Sequence, residues 1–288
     1  MTLCIAAKCS YQDENAIIMS SDWRIEDDAS GSQTALKQGC LAPGWWFMYA
    51  GIQARAVELV ISIKDYLKDH PLGPGAISLT IKESLRKHRE KMADELIHSQ
   101  IARSYQWLLE EGHSVLPSDY CSQLIRYVAD IRLEAQLIVC GFCDNDPVIF
   151  LIDETRGAPI AGPIENFAAI GSGSLIALSV LHQREHQSTV PFRRALYHVY
   201  EAKRLGEAAP GVGKQTTVTV LLVGGKVGRP NESASFFVQQ CYDRYAPKDL
   251  EGKEDWEASP ESLISVSPGP AIPQETKHGR RSRKTSRV

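Results

Sequence analysis

The chain has 288 residues, 43% of them hydrophobic, and a net charge of −3, enough apolar material for one large core or two small ones. No stretch approaches the roughly 20 uninterrupted apolar residues of a membrane-spanning helix, and the N-terminus lacks the basic-then-apolar pattern of a secretory leader. The seven cysteines are odd in number and scattered, which argues against a disulfide framework and for reduced thiols in the cytoplasm.

The first elements read as strands. LCIAAKC and AIIMSSDWRI are apolar and β-prone, and the polar YQDEN between them suits a hairpin. Residues 27–34, DDASGSQT, read as a loop, and a second strand pair follows around 35–50, ending at Ala50-Gly51. From Ile52 the period becomes helical: Ala56, Leu59, Val60, Ile63 and Leu67 form one stripe that ends before Pro71. A second helix starts near Ser78. Residues 105–134 contain helical fragments without a clear arrangement.

AQLIVCGFC and PVIFLID then read as two strands, and NFAAI as a short one leading into the turn GSGS at Gly171–Ser174. The pair Cys140 and Cys143 in CGFC sits in an apolar run, so the spacing points to a buried strand and not to a redox or metal half-site. Two helices follow, LIALSVLHQREH and PFRRALYHVYEAKRL, and TTVTVLLVGG with SASFFVQQCY reads as a closing strand pair. Residues 1–244 are thus expected to form one domain. Residues 245–288 are charged and Pro/Ser-rich and are expected to be a flexible extension.

Six of the lysines and arginines lie in the final KHGRRSRKTSRV, so the body is more acidic than the net charge shows. Such a tail suits a solvated end better than a nucleic-acid contact. Helix pairs between strand pairs do not fit a doubly wound parallel sheet. The order predicts an α+β fold, a four-layer αββα sandwich of two antiparallel sheets between helix pairs.

Several motifs resemble, in order and spacing, those of the proteasome β-type subunits and the bacterial proteasome-like peptidases, which are N-terminal nucleophile hydrolases. They are the TLCIAA start, IIMSSDWR with Asp22 at a strand end, Lys37, YAG ending in Gly51, and FAAIGSGSLIALSVL with its GSG turn. The resemblance runs from Thr2 to about Gln240. It implies Thr2 as nucleophile after removal of Met1, which is expected before so small a residue. It implies Lys37 and Asp22 as its charged partners, Ser172 as a hydrogen-bonding aid near the Thr2 amine, and the Gly51 N–H as oxyanion donor. It further implies peptide or unfolded-protein substrates, a homo-oligomeric ring or related assembly, an ATPase partner, and neither cofactor nor metal.

The chemistry suits these residue types. A threonine hydroxyl needs a base, and an α-amine with an ordinary pKa of about 7.7–8.0 is partly neutral near pH 7. A buried ammonium beside the oxygen favours the developing alkoxide, and a carboxylate offsets the cost of burying that cation.

One family feature has no match. The family's aspartate after the last helix falls at Gly206, where the sequence reads GEAAPGVGKQTT with Glu207 as the neighbouring carboxylate. That departure keeps two other readings open: a proteasome-fold scaffold or binding protein without turnover, and a threonine amidohydrolase of small amides.

Other motifs fail. GVGKQTT misses the phosphate-loop pattern at Ala208 and Gln215, and GSGSLI misses the dinucleotide fingerprint at Ile176. His182 and His186, four apart, read as solvated helix histidines, and His198 as part of a packing face.

Overall fold

A computed structural model describes residues 2–22, 24–25, 33–34, 37–69, 76–155 and 158–245. The basic tail, nearly all of the expected extension and Met1 lie outside the described residues, as does most of the loop expected over 27–34. Strand β1 (Leu3–Tyr11) turns into β2 (Glu14–Asp22) through Gln12 and Asp13, both in the left-handed region. Short β3 (Arg24–Ile25) pairs with β4 (Gln33–Thr34), and β5 (Gln38–Ala42) with β6 (Trp45–Gly51). Helices α1 (Gln53–Asp69) and α2 (Ala76–Ile101) follow.

The segment that resisted assignment forms three short helices, α3 (Tyr105–Glu110), α4 (Gly112–Val115) and α5 (Ser118–Ala129). They close a small core of their own, Leu108, Cys121 and Leu124 against Ile97 of α2. Strands β7 (Ala135–Cys143), β8 (Asp146–Thr155), β9 (Ala158–Ile164) and β10 (Phe167–Gly171) lead to α6 (Ser174–Gln183) and α7 (Phe192–Gly206). The described chain ends with β11 (Thr216–Leu222), β12 (Lys226–Gly228) and α8 (Glu232–Tyr245).

Two five-stranded antiparallel sheets result, in the orders β10-β1-β2-β11-β12 and β5-β6-β7-β8-β9. Along β1, Leu3, Ile5, Ala7 and Cys9 pack on α6 and α7, while Cys4 and Ala6 turn to the other sheet. Met19 and Ile17 of β2 meet Met48, Ile138 and Cys140 of the second sheet between the layers. On its outer side that second sheet carries α1 and α2 through Leu59, Ile63, Ile77 and Ile81. The layers are therefore helix, sheet, sheet, helix, as the α+β expectation has it. Burial of both strand faces explains why β1 and β7 read as continuous apolar runs without a period of two.

CGFC lies in β7 with Cys140 fully buried; burial raises its thiol well above the ordinary range, and neither cysteine is in a disulfide. A Cβ at Gly141 would land 2.5 Å from the Trp45 ring, so the motif serves packing.

Two expectations fail. SASFFVQQCY is helix, not strand: Ala234, Val238, Cys241 and Tyr242 pack on α7 at helical spacing, and Asn231 Oδ1 accepts from the Ala234 N–H at 2.9 Å. The closing strand pair is β11 with the three-residue β12 instead. His186 is not a solvated helix residue either; it lies past the end of α6 and is buried, as is His198.

The two histidines form one network. Arg194 Nε donates to His198 Nε2 (3.4 Å), which leaves His198 Nδ1–H facing His186 Nδ1 at 3.1 Å and His186 Nε2–H donating to the Lys8 carbonyl at 2.9 Å. Every ring nitrogen has a role only while both rings are neutral. Burial lowers both pKa values, His198 to about 4, with His186, Arg194 and Arg184 adding to the shift at His198 and Arg194 at His186; the Lys8 carbonyl bond opposes it at His186. The unfolded chain binds the protons more readily, so this stability is complete above pH 6.5 and is lost as pH falls toward 4. Urea denaturation should lose about 1.4 kcal/mol per pH unit within that window on account of His198, with His186 steepening the slope below pH 6.5. A His186→Gln, His198→Gln double variant should show a flatter profile, and an unchanged slope in that variant would refute the assignment.

Candidate active site

The register of the first sheet assembles the candidate site. Antiparallel pairing of Cys4 with Ser21 sets the start of β1 beside the end of β2, so Thr2 and Asp22 become neighbours. Thr2 Oγ1 donates to Asp22 Oδ1 at 2.5 Å, and the Lys37 ammonium donates to the same Thr2 oxygen and, at 3.0 Å, to Asp22 Oδ1. All three side chains are at least 96% buried. The Leu3 N–H (3.2 Å) and the Gly213 N–H (2.8 Å, to Oδ2) complete the donors around the carboxylate. With four donors, Asp22 is held rigidly and its charge balances Lys37.

Lys37 stands just before β5, where its carbonyl accepts the Tyr49 N–H at 3.0 Å. The Tyr49 carbonyl in turn accepts from Cys4 Sγ at 3.4 Å. Tyr49 thus ties β6 to both Cys4 of β1 and Lys37. Gly51 lies two residues further, at the end of β6, with φ +95°, and a Cβ there would be 2.4 Å from the Glu134 carbonyl. Only glycine fits this turn.

Pairing of Leu3 with Gly171 brings the GSGS turn to the same corner. A Cβ on Gly171, φ +93°, would lie 2.2 Å from the Thr2 carbonyl oxygen, so the close approach of the two chains requires glycine. Ser172 Oγ donates to the Thr2 carbonyl and to the Pro210 carbonyl, each at 3.3 Å. Its contact is with the Thr2 backbone, not the hydroxyl. No side-chain cap closes the start of α6, so helix capping does not account for the serines. The structure brings Thr2, Asp22, Lys37 and Ser172 into direct contact, and places Gly51 one step away on the strand that touches them.

The empty place of the expected aspartate has a steric reason. A Cβ at Gly206 would be 2.4 Å from Leu3 Cδ2. Glu207 does not substitute, because Lys203 (2.9 Å) and Arg204 (2.9 Å) both hold it.

Sequence reasoning missed three supports. Lys203, 1% exposed, also donates to the Gly213 carbonyl at 2.7 Å, and Gly213 holds Asp22. Burial lowers the Lys203 pKa, and Glu207 opposes that. Gln136 accepts the Gly171 N–H at 2.9 Å while donating to Asp153 at 2.8 Å. The i, i+4 spacing of Lys203 and Glu207 was visible, but nothing in it showed burial. Among the described residues no group of three acidic, histidine or cysteine side chains could hold a metal, and no helix is long and apolar enough to cross a membrane.

A scan against protein-family models finds no match to the chain, and neither does a search of curated proteins.

Proposed function

We propose that the chain is an N-terminal threonine hydrolase of the proteasome type, with Thr2 as nucleophile toward peptide carbonyls. The observation that carries the reading is the buried contact of the Lys37 ammonium and the Asp22 carboxylate with the Thr2 hydroxyl. A threonine in an ordinary strand has no use for two buried charges, whose desolvation costs several kcal/mol.

Cleavage of the bond before Thr2 frees its α-amine, which takes the hydroxyl proton as Oγ1 attacks a carbonyl. Lys37 stabilises the alkoxide that develops, and Asp22 fixes Lys37 in place. The Gly51 N–H serves as donor to the carbonyl oxygen as it gains charge. Ser172 orients the Thr2 backbone through its carbonyl and thereby the amine. The Thr2 ammonium passes the hydroxyl proton to the leaving nitrogen as the peptide C–N bond breaks and the amine product departs. Water then attacks the ester on Thr2, giving a proton to the freed α-amine, which passes it to Oγ1 as the acid product leaves. Peptide or unfolded-protein substrates, a homo-oligomeric ring and an ATPase partner follow from the resemblance and are part of this reading.

Gly206 supports a second reading, a scaffold of the same fold without turnover, since neither residue 206 nor the engaged Glu207 supplies the family's second carboxylate. One experiment separates them. Intact mass and N-terminal sequencing of the purified protein should show a chain beginning at Thr2, and a threonine-reactive electrophile should label wild type but not Thr2→Ala. Labelling that survives Thr2→Ala sinks the proposal, and a correctly processed chain that resists labelling favours the scaffold. Labelling without peptide cleavage points to small amides.

A further inference from the structure

A cavity of about 330 Å³ lies between the first sheet and its helices, on the side of β2 that faces α7 and α8. Leu196 and Val238 are among its apolar lining, and Ser20 lines the sheet side. Three cations also line it: Lys203, Arg204 and Arg229. The one carboxylate these cations engage is Glu207, which Lys203 and Arg204 share; Arg229 has no ion pair among the described residues.

Charged donors are left over here. Lys203 gives two of its three ammonium protons to Glu207 and the Gly213 carbonyl, and makes no third hydrogen bond to the described residues. Arg204 gives a proton to Glu207, yet its buried Nε has no hydrogen-bond partner among the described residues. Buried donors without acceptors cost roughly 1–3 kcal/mol each, more when charged. Two of them on one cavity, with a third cation at hand, call for a negatively charged acceptor. The apolar wall calls for a hydrocarbon body on that acceptor, and the volume falls at the lower end of the range for small-molecule sites.

We infer that this cavity binds a small organic carboxylate, its headgroup against Lys203, Arg204 and Arg229 and its apolar body against Leu196 and Val238. Inorganic anions satisfy only the first half of that site. The cavity does not include Thr2, so this inference stands or falls apart from the threonine chemistry. It shares Lys203, however, with the backbone that holds Asp22.

Isothermal titration of the full chain with hexanoate, hexanamide and inorganic phosphate tests it. Hexanoate should bind saturably in the micromolar to low-millimolar range, with hexanamide and phosphate each about tenfold weaker or more, the worth of one charge-assisted contact. Arg229→Ala and Arg204→Gln should each weaken hexanoate about tenfold, while Thr2→Ala should bind it as wild type does. Arg229 is exposed and has no ion pair among the described residues, so its variant is expected to fold; unchanged circular dichroism and melting temperature confirm this. No saturable hexanoate binding, hexanamide or phosphate binding as tightly as hexanoate, or an Arg229→Ala protein that binds hexanoate like wild type would overturn the inference.

Discussion

Asp22→Asn is expected to destabilise the protein by about 3–5 kcal/mol, the usual consequence of leaving one member of a buried ion pair without its partner. Lys37 loses the anion at 3.0 Å that offsets its burial. An asparagine also has a single acceptor oxygen, whereas Asp22 accepts from Thr2, Leu3 and Lys37 through Oδ1 and from Gly213 through Oδ2. Whichever way the amide turns, its NH₂ group faces a donor. Either the Gly213 N–H or the cluster at Thr2 is left without an acceptor, and both are buried.

The charge account predicts a particular pattern over three proteins. Lys37→Met should cost less than Asp22→Asn, because Asp22 keeps two backbone N–H donors. The double variant Asp22→Asn, Lys37→Met should recover part of the loss, with a favourable coupling of about 1–3 kcal/mol in a urea-denaturation cycle. Additive losses would refute the charge-pair account. Labelling by a threonine-reactive electrophile should fall about 10²–10³-fold in each single variant under the proposed chemistry, and the double variant should recover stability without recovering labelling.

Much of this corner was legible in the sequence because its residues sit at ends of elements with clear patterns. Asp22 closes an apolar run, Gly51 stands just before the helical period begins, and Gly171 ends a strand just before a helix. In the helical stripe of Ala56, Leu59, Val60, Ile63 and Leu67, the first four are buried in the core and Leu67 is half-buried against it. What stayed hidden was chemistry that depends on burial. Lys203 in EAKRLGE has the look of a solvated helix lysine, yet α7 is enclosed by the first sheet and α8, so the ammonium is forced to find Glu207 and the Gly213 carbonyl.

The misreading of SASFFVQQCY has the same root. Its two phenylalanines look β-prone, but Phe236 is exposed and Val238, with Tyr242, carries the packing. Propensity favoured a strand where tertiary packing chose one side of a helix. His186 was misplaced because α6 ends at Gln183 and the chain then bends back, with Glu185 in the left-handed region. Four-residue spacing places two side chains together only while the helix lasts.

Gly206→Asp, which introduces the aspartate of the family the sequence resembles, is expected to lower both stability and labelling. The new Cβ would lie 2.4 Å from Leu3 Cδ2, and Leu3 is fully buried with its N–H on Asp22. Overpacking of this kind costs about 1–3 kcal/mol, and Leu3 can make room only by moving the residue next to Thr2. The added carboxylate would also stand beside Glu207, whose two cations are already engaged. Gly206→Ala isolates the steric part and should give most of the destabilisation. Combining it with Leu3→Ala should show favourable coupling, since the smaller side chain frees the space the methyl needs. A Gly206→Asp protein that labels faster than wild type would show instead that Leu3 yields readily and that the carboxylate was wanting. The geometry argues the other way: the space at position 206 is filled by Leu3, the residue next to Thr2, and support for Asp22 arrives at this corner through Lys203 and the Gly213 peptide.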